Sequence, residues 1–484
     1  MMNNDQTVGG MDPEEFRKAG KELVDWIADY LKDAEKYSVL SSVKPGSIKQ
    51  QLPSSPPKSP EKMEAILSDF NNIILPGITH WNHPGFFAYF ANSASAPGIL
   101  GEMLATALNV NGMLWRTSPS ATELEEVVTD WLRQMLGLPP VFHGVITDTA
   151  SVSTLVALTA ARESLHQRIR EHGLSGRTDL PRLRLFCSEH AHSSIDKAAI
   201  VLGTGQESVR KIPADAEFRM KPELLASAIK EDKKDGWLPF AAVATIGTTS
   251  STSIDPVPAI ADICQKENIW LHVDAAYGGV AAIVPEMQYV LEGCGRADSF
   301  VTNPHKWLFT PMDCSVLLTR HVEILKQAFS LVPEYLKTSD STVNNYMDWG
   351  VQLGRRFRAL KLWFIIRSFG VEGLVVRLRE HCRLAQEFAS WVDAEKNFER
   401  LAPVPFSVVC FRFHPDNISE EGTLEQLNTK ILDRLNATGE AFLSHTKLNG
   451  KYTIRLAIGN LATTERHITR TWELVKQIAS DQPH

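Results

Sequence analysis

The segment SFVTNPHKW, residues 299–307, carries the residue on which the fold and the chemistry both turn. A β-rich run, Ser299–Thr302, ends in Asn303 and Pro304, and Lys306 follows His305. The end of an interior strand is a costly place for an ammonium group, which prefers water. Desolvation favours the neutral amine, and a neutral amine is a nucleophile suited to Schiff-base chemistry. A lone lysine after a turn is far more often an ordinary surface group, so its neighbours have to decide.

Working outward, the segment WLHVDAAYGG (270–279) places Asp274 at the end of a second strand, thirty-two residues before Lys306, with small residues after it. Small residues let a flat ligand approach the backbone. An acid there can pair with a protonated pyridine nitrogen and keep the ring an electron sink. The interval leaves room for a helix and one further strand, so both side chains can converge from neighbouring strand ends. In GVITDTASVSTL (144–155) a short strand gives way to Thr, Ala and Ser and then to a helical pattern, which suits backbone N–H groups gathered on a phosphate. In EHAHSS (189–194) His192 follows a strand and can lie flat over a bound ring or meet a substrate carboxylate. GTTSSTS (247–253) is small and polar, again just after a strand. Each has a plain reading when taken singly: a helix cap at Asp274 and at Thr149–Ser151, a surface or core histidine at 192. Together they supply a phosphate cradle, a ring-stacking imidazole, an acid for a pyridine nitrogen and an amine for an aldehyde, which is the set pyridoxal 5'-phosphate needs.

The surrounding pattern fits an α/β domain. Between about 140 and 320, strand candidates at Val145–Thr147, Leu183–Cys187, Ala241–Ile246, Trp270–Val273, Ser299–Thr302 and Cys314–Thr319 alternate with helical segments. That alternation predicts a mainly parallel sheet with ligands at the carboxyl ends of its strands. Residues 13–36 and 61–74 read as amphipathic helices, joined by a Ser- and Pro-rich extended linker at 41–60. A core-forming helix on such a tether is expected to pack on something else, such as a partner subunit. Phe406–Phe413 and Lys451–Ala457 read as strands, and Leu424–Leu435 and Thr464–Ile478 as helices, of a small α+β domain. The expected division is 1–95 (N-terminal helical, dimer-clasping), 96–360 (large cofactor-binding α/β) and 361–484 (small C-terminal α+β).

Composition narrows the class further. The 484 residues carry a formal net charge of −7, with 43% hydrophobic and 22% charged residues, which is ordinary globular usage without the basic footprint of a nucleic-acid binder. The longest stretch free of Asp, Glu, Lys and Arg, Phe70–Gly101, is broken by Pro76, Pro84 and Pro97, so no membrane span is expected. MMNNDQTVGG lacks the charged and apolar parts of a signal peptide, and the six scattered cysteines form no C-x-x-C pair. A reducing, cytoplasmic setting and no metal site are the expectation.

From about Pro13 to Ala479 the chain resembles the aromatic L-amino acid decarboxylases, the group II pyridoxal-phosphate decarboxylases of the aspartate-aminotransferase-like fold (fold type I). The resemblance rests on THW and FFAYF (79–90), SPSATELE (118–125), TAS (149–151), AHSS (191–194), GTT (247–249), HVDAAY (272–277), NPHKW (303–307) and LGRRFR (353–358). It implies that Lys306 forms the Schiff base with the cofactor, that Asp274 pairs with the pyridine nitrogen and that His192 stacks on the ring. It implies that Ala150, Ser151 and Asn303 hold the phosphate, and that Thr249, Ala276 and His305 line the cofactor pocket. LVPEYLKTSD (331–340) is similar to the family's catalytic loop, which makes Tyr335 the proton donor to Cα. Trp81, Tyr89, Phe90, Asn92, Asn111, Met113 and Gly354 are expected around the substrate ring, with Asn111 and Met113 arriving from the other subunit of a homodimer. Ala91 and Asn92 stand where relatives often carry Thr and an extra proline, and Asn111 and Met113 where an apolar and an aromatic residue are usual. Gly354 is the residue that, in plant relatives, goes with indole substrates where Ser goes with hydroxyphenyl ones.

The implied reaction is decarboxylation of an aromatic L-amino acid (tryptophan, 5-hydroxytryptophan, DOPA, tyrosine or phenylalanine) to the arylethylamine. Aldehyde synthases on this fold replace the loop tyrosine by Phe or the active-site histidine by another residue, and this chain keeps Tyr335 and His192. A decarboxylase of a non-aromatic amino acid such as histidine is a further alternative. An aminotransferase would need an arginine to grip the carboxylate, for which Arg455 is the candidate and reads as structural. A scaffold that has lost catalysis tends to lack the cofactor lysine or its acid.

Overall fold

In the computed structural model, which describes residues 10–331 and 343–481, a two-residue strand β1 (Phe86–Phe87) precedes the main sheet. That sheet has seven strands: β2 (His143–Thr147), β3 (Leu183–Ser188), β4 (Val209–Ile212), β5 (Leu238–Thr245), β6 (Trp270–Asp274), β7 (Ser299–Thr302) and β8 (Ser315–Thr319). Their order is β2-β8-β7-β6-β5-β3-β4. β4, β3, β5, β6 and β7 run parallel to one another, and β8 runs antiparallel to both β7 and β2. The inner strands are Val-, Leu- and Ala-rich and buried on both faces, as a helix-covered parallel sheet requires. The helix Ala150–Glu163 packs across β5 to β8 on one face.

Register does the work of assembly. Thr245 pairs with Asp274 and Asp274 with Val301, so the ends of β5, β6 and β7 lie side by side. Neighbouring strands are about 4.8 Å apart. The segments that follow them, 247–249, 274–276 and 303–306, are therefore adjacent in space although some thirty residues apart in sequence.

Three expectations are corrected. The interval between Asp274 and β7 holds no α-helix, but three 3-10 segments: Gly278–Ile283, Pro285–Leu291 and Cys294–Arg296. Glycines and a proline at short spacing prevent longer helical hydrogen-bond runs there. The 41–60 stretch is not wholly extended; Ser47–Gln51 forms a short helix after Gly46, whose φ of +87° only glycine adopts readily, and before Pro53. The edge strand β4, sequence VRKI, was not anticipated, because two charged residues leave it little hydrophobic pattern.

The small sheet contains β9 (Phe398–Arg400), β10 (Val408–Phe413), β11 (Phe442–Leu448) and β12 (Lys451–Ala457), in the order β1-β11-β12-β10-β9. β1 pairs parallel with β11, Phe86 opposite Phe442. The FFAYF block is thereby attached to the edge of the C-terminal sheet. Helices Glu421–Ala437 and Glu465–Ser480 cover that sheet. The helical stretch Arg358–Ala394, broken at Gly370 (φ +62°), reaches from the large sheet's helices to β9 and β10.

At the N-terminus, Asp12 caps the helix Pro13–Lys32 by accepting from the Glu14 and Glu15 N–H groups. That helix buries only Ala19, and Phe16 is 69% exposed. The second amphipathic segment is a helix, Met63–Asp69, continued by a π turn over Phe70–Ile74. Among the described residues no helix is long and apolar enough to cross a membrane, no cluster of potential metal ligands forms, and the six cysteines are free thiols.

Candidate active site

Lys306 owes its position to a tight turn at the end of β7. Asn303 donates its N–H to the Ala276 carbonyl at 3.1 Å, and Lys306 donates its own to the Asn303 carbonyl at 2.9 Å. Pro304 opens the one-turn helix Pro304–Trp307, where its missing N–H costs nothing. The Lys306 amine lies 5.1 Å from the centre of the Phe90 ring. Phe90 stacks on Tyr277 at 3.9 Å, and Tyr277 on Trp307 at 4.9 Å. This aromatic backing excludes water. Burial accordingly lowers the amine's pKa below the ordinary lysine value, and the Asp274 carboxylate partly opposes the shift.

Asp274, 5% exposed, ends β6, and its Oδ1 accepts the Ala276 N–H at 3.1 Å. His192 is exposed, and its Nδ1 accepts the Ser194 N–H at 3.1 Å, which leaves Nε2 to carry the proton of the neutral ring. Desolvation by the surrounding protein lowers the His192 pKa, while Asp274 raises it and Lys306 lowers it further. His305 is buried; its Nδ1 accepts the Cys314 N–H at 2.9 Å, and burial pushes its pKa to about 3, so it is neutral. Thr249 stands exposed at the tip of the loop after β5. The loop folds on Thr248, whose hydroxyl meets Ser251 and Ser253 at 3.0 Å each. Gly247 turns it with φ +88°, and a Cβ there would come within 3.1 Å of the Gly278 backbone N.

The donor set fits pyridoxal phosphate on observations of this chain. Thr149 stands at the cap of the helix Ala150–Glu163 without making a side-chain cap bond, and Ser151 is exposed, so the first N–H groups are available to an anion. At the end of β7 the buried Asn303 side-chain amide has an Oδ1 without a hydrogen-bond partner, and its Nδ2 is the atom that can donate to a phosphate oxygen. A desolvated amine and a buried carboxylate complete the requirements. Ala150, Ser151 and Asn303 would hold the phosphate, Asp274 the ring nitrogen, Lys306 the aldehyde carbon and His192 the ring face, with Ala276, Thr249 and His305 around them.

The residues expected near the substrate fall into two groups. Phe90 adjoins Lys306. Tyr89, held at φ +52° with its N–H on the Ser444 Oγ at 3.2 Å, is exposed, and Trp81 stacks near it with ring centres 6.1 Å apart. Asn92 points its Nδ2 at the Met312 sulfur, 3.5 Å away. The second group is Asn111, Met113 and Gly354. Asn111 accepts the Arg355 N–H at 2.9 Å and places its Nδ2 3.5 Å from the Met113 sulfur; a Cβ on Gly354 would lie 3.9 Å from that same Nδ2. Tyr335 lies outside the described residues.

Sequence reasoning missed Tyr277, which carries the aromatic stack and binds Ser407 of the small domain through its hydroxyl at 2.6 Å. It also missed the buried pair Arg355–Glu125, at 2.6 Å. Glu125 also accepts the Ile146 N–H and Arg355 donates to the Ile146 carbonyl, so the pair secures β2 just before the Thr149 turn. The adjacent arginines of LGRRFR and the acid of SPSATELE were the available signal. Arg455 is buried, with Nη1 on the Ser444 Oγ of the neighbouring strand β11 at 3.0 Å and Nε on the Ser250 carbonyl at 2.9 Å, the bond that ties the small sheet to the loop after β5.

A mainly parallel sheet that presents an amine, a carboxylate and a free helix start at adjacent strand ends defines a pyridoxal-phosphate enzyme of the aspartate-aminotransferase-like fold. The chain belongs to the pyridoxal-dependent decarboxylase family, whose conserved-domain model matches residues 45–414. It is 43% identical to tyrosine decarboxylase 3 of Petroselinum crispum, over 97% of this chain and 92% of that one. It is 42% identical to a phenylacetaldehyde synthase of a Rosa hybrid cultivar, over 98% of this chain and 96% of that one. The crystal structure of Oryza sativa TDC with PLP and tryptamine superposes with a TM-score of 0.94 at 36% identity, covering 98% of this chain and 99% of that one.

Proposed function

We propose that this enzyme removes the α-carboxylate of an aromatic L-amino acid to give the arylethylamine, and that it works as a homodimer. The observation that carries the substrate class is the Phe90 ring, whose centre lies 5.1 Å from the Lys306 amine and which is backed by Tyr277. Flat aromatic faces and edges favour a ring partner over an aliphatic chain. When bound, pyridoxal phosphate supplies the electron sink that accepts the electron pair as carbon dioxide leaves.

The chain's own groups do the rest. Asp274 would hold a proton on the ring nitrogen, and the N–H groups of Ala150 and Ser151 would anchor the phosphate end. Lys306, whose amine pKa burial lowers, would hold the cofactor until the substrate amine takes its place. His192, whose Nδ1 is occupied by the Ser194 N–H so that its neutral ring carries the proton on Nε2, would cover the cofactor ring and face the substrate carboxylate. Tyr335 delivers the proton to Cα.

Support for the dimer comes from apolar surface that a single chain leaves open: Phe16 on the first helix, and Leu100, Leu104 and Leu108 on the helix Ala96–Leu108. The Asn111–Met113–Gly354 group completes the substrate pocket from the other subunit. A cytoplasmic location accords with six free thiols.

The test is incubation of purified holoenzyme with tryptophan, 5-hydroxytryptophan, tyrosine, DOPA, phenylalanine, histidine and glutamate, with identification of products. An aromatic substrate is expected to lead in kcat/KM, and its amine to be the product. Histidine or glutamate in the lead would overturn the substrate class. The rose relative's name supports a second reading, an aldehyde synthase, which aldehyde, ammonia and peroxide in place of amine would establish.

A further inference from the structure

The strand that carries Asp274 also carries a polar chain that the steps above leave unused. Trp270, His272 and Asp274 occupy alternate positions of β6 and so share one face of it. His272 is 0% exposed. Ser299, its register partner on β7, receives the Trp270 Nε1–H at 2.8 Å and meets the His272 Nδ1 at 2.9 Å. An indole nitrogen can only donate, so it occupies a lone pair of the serine oxygen. Among the described residues the His272 Nδ1 is then the acceptor available to the serine proton. The neutral imidazole therefore carries its own proton on Nε2. Burial keeps it neutral, pushing its pKa to about 4.

That Nε2 is buried and meets no hydrogen-bond partner among the described residues. A buried donor is costly to leave unmade, and the charged group acting on His272 is Asp274. Thr245, in register with Asp274 on β5, has a buried hydroxyl that likewise meets no partner among the described residues. The carboxylate is thus bordered by neutral donors along its own strand and across from it.

We propose that His272 is a positioning residue for Asp274: its Nε2–H, fixed by the Ser299 and Trp270 bonds, supports the carboxylate through one bound water and keeps it aimed at the ring nitrogen of the cofactor. This rests on Asp274 being the partner of that nitrogen. His272 does not touch the cofactor, so it acts on the nitrogen's protonation and on cofactor affinity before it acts on turnover.

The experiment loads the enzyme with pyridoxal phosphate labelled with 15N in the ring, follows the nitrogen's chemical shift against pH, and measures the cofactor dissociation constant by fluorescence. Wild type, Asp274→Asn, His272→Leu, His272→Gln and Ser299→Ala are compared. His272→Leu is expected to lower the ring nitrogen's titration midpoint by about one pH unit and to weaken cofactor binding about tenfold. Gln retains an N–H donor and is expected to restore most of both. Ser299→Ala, which keeps the imidazole but releases its tautomer, is expected to fall between, and it carries the test if the leucine variant fails to fold. An Asp274→Asn enzyme with an unchanged shift would overturn the pairing of Asp274 with the nitrogen. A shifted Asp274→Asn beside wild-type values for folded His272 and Ser299 variants would overturn the positioning role alone.

Discussion

Gly354→Ser isolates the far end of the substrate pocket. The added Cβ would lie 3.9 Å from the Asn111 Nδ2, ordinary van der Waals contact, with no other atom within 4 Å. The backbone therefore need not move, and stability should change by no more than about 0.5 kcal/mol. The hydroxyl reaches further than the Cβ and either bonds the Asn111 amide or enters the space a bicyclic ring would use. One heavy atom of lost room in an apolar pocket is worth about 1–3 kcal/mol, or about 10- to 200-fold in kcat/KM. Steady-state kinetics should show the ratio of tryptophan to tyrosine falling by about that factor, with an unchanged melting temperature.

Mixed dimers test where the effect acts. When Lys306→Ala chains are combined with Gly354→Ser chains, the lysine-bearing site of the hybrid faces the glycine of the other chain if this group crosses the interface. The hybrid should then keep the wild-type ratio. A hybrid with the serine ratio would refute the crossing, and an unchanged ratio in the parent Gly354→Ser enzyme would refute the steric reasoning.

Lys306 should combine with cofactor at lower pH than a free lysine. Its pKa lies below 10.5 in the fold, so the neutral amine is present above that lowered value and is lost as pH falls through it. Apoenzyme reconstitution followed by visible absorbance should have its midpoint below pH 10.5, and Asp274→Asn should move it lower still, because Asp274 raises the amine's pKa. Lys306→Ala should abolish both the absorbance band and turnover. Tyr335→Phe should divert product from amine toward aldehyde, ammonia and peroxide; amine alone at the parent rate would remove Tyr335 from the mechanism. Arg355→Met should destabilise the fold by about 3–5 kcal/mol in denaturant unfolding, because the Glu125 partner, with a side chain 4% exposed, is left as an unpaired buried charge.

The chemistry was legible in the sequence because each of its parts is local. A strand followed at once by small or polar residues specifies both the strand end and what stands on it, and this holds at Thr149–Ser151, Asp274–Ala276 and Asn303–Lys306. The order of those segments and the alternation around them were enough for a mainly parallel sheet. What they could not specify was contact between distant parts of the chain. The pairing of Phe86 with Phe442, on the segment that carries Phe90 to Lys306, closes a loop of hundreds of residues and is settled by burial of both segments together. Gly354 meets Asn111 through a hydrogen bond from the next residue's backbone, which no spacing announces. The proton on His272 is placed by a tryptophan two residues back and a serine on the next strand, a choice that exists only once β6 and β7 are in register. Backbone preferences act within a few residues and are written in composition and pattern, whereas side-chain partners across the fold are chosen by whichever packing buries every face at once, and that choice belongs to the tertiary structure.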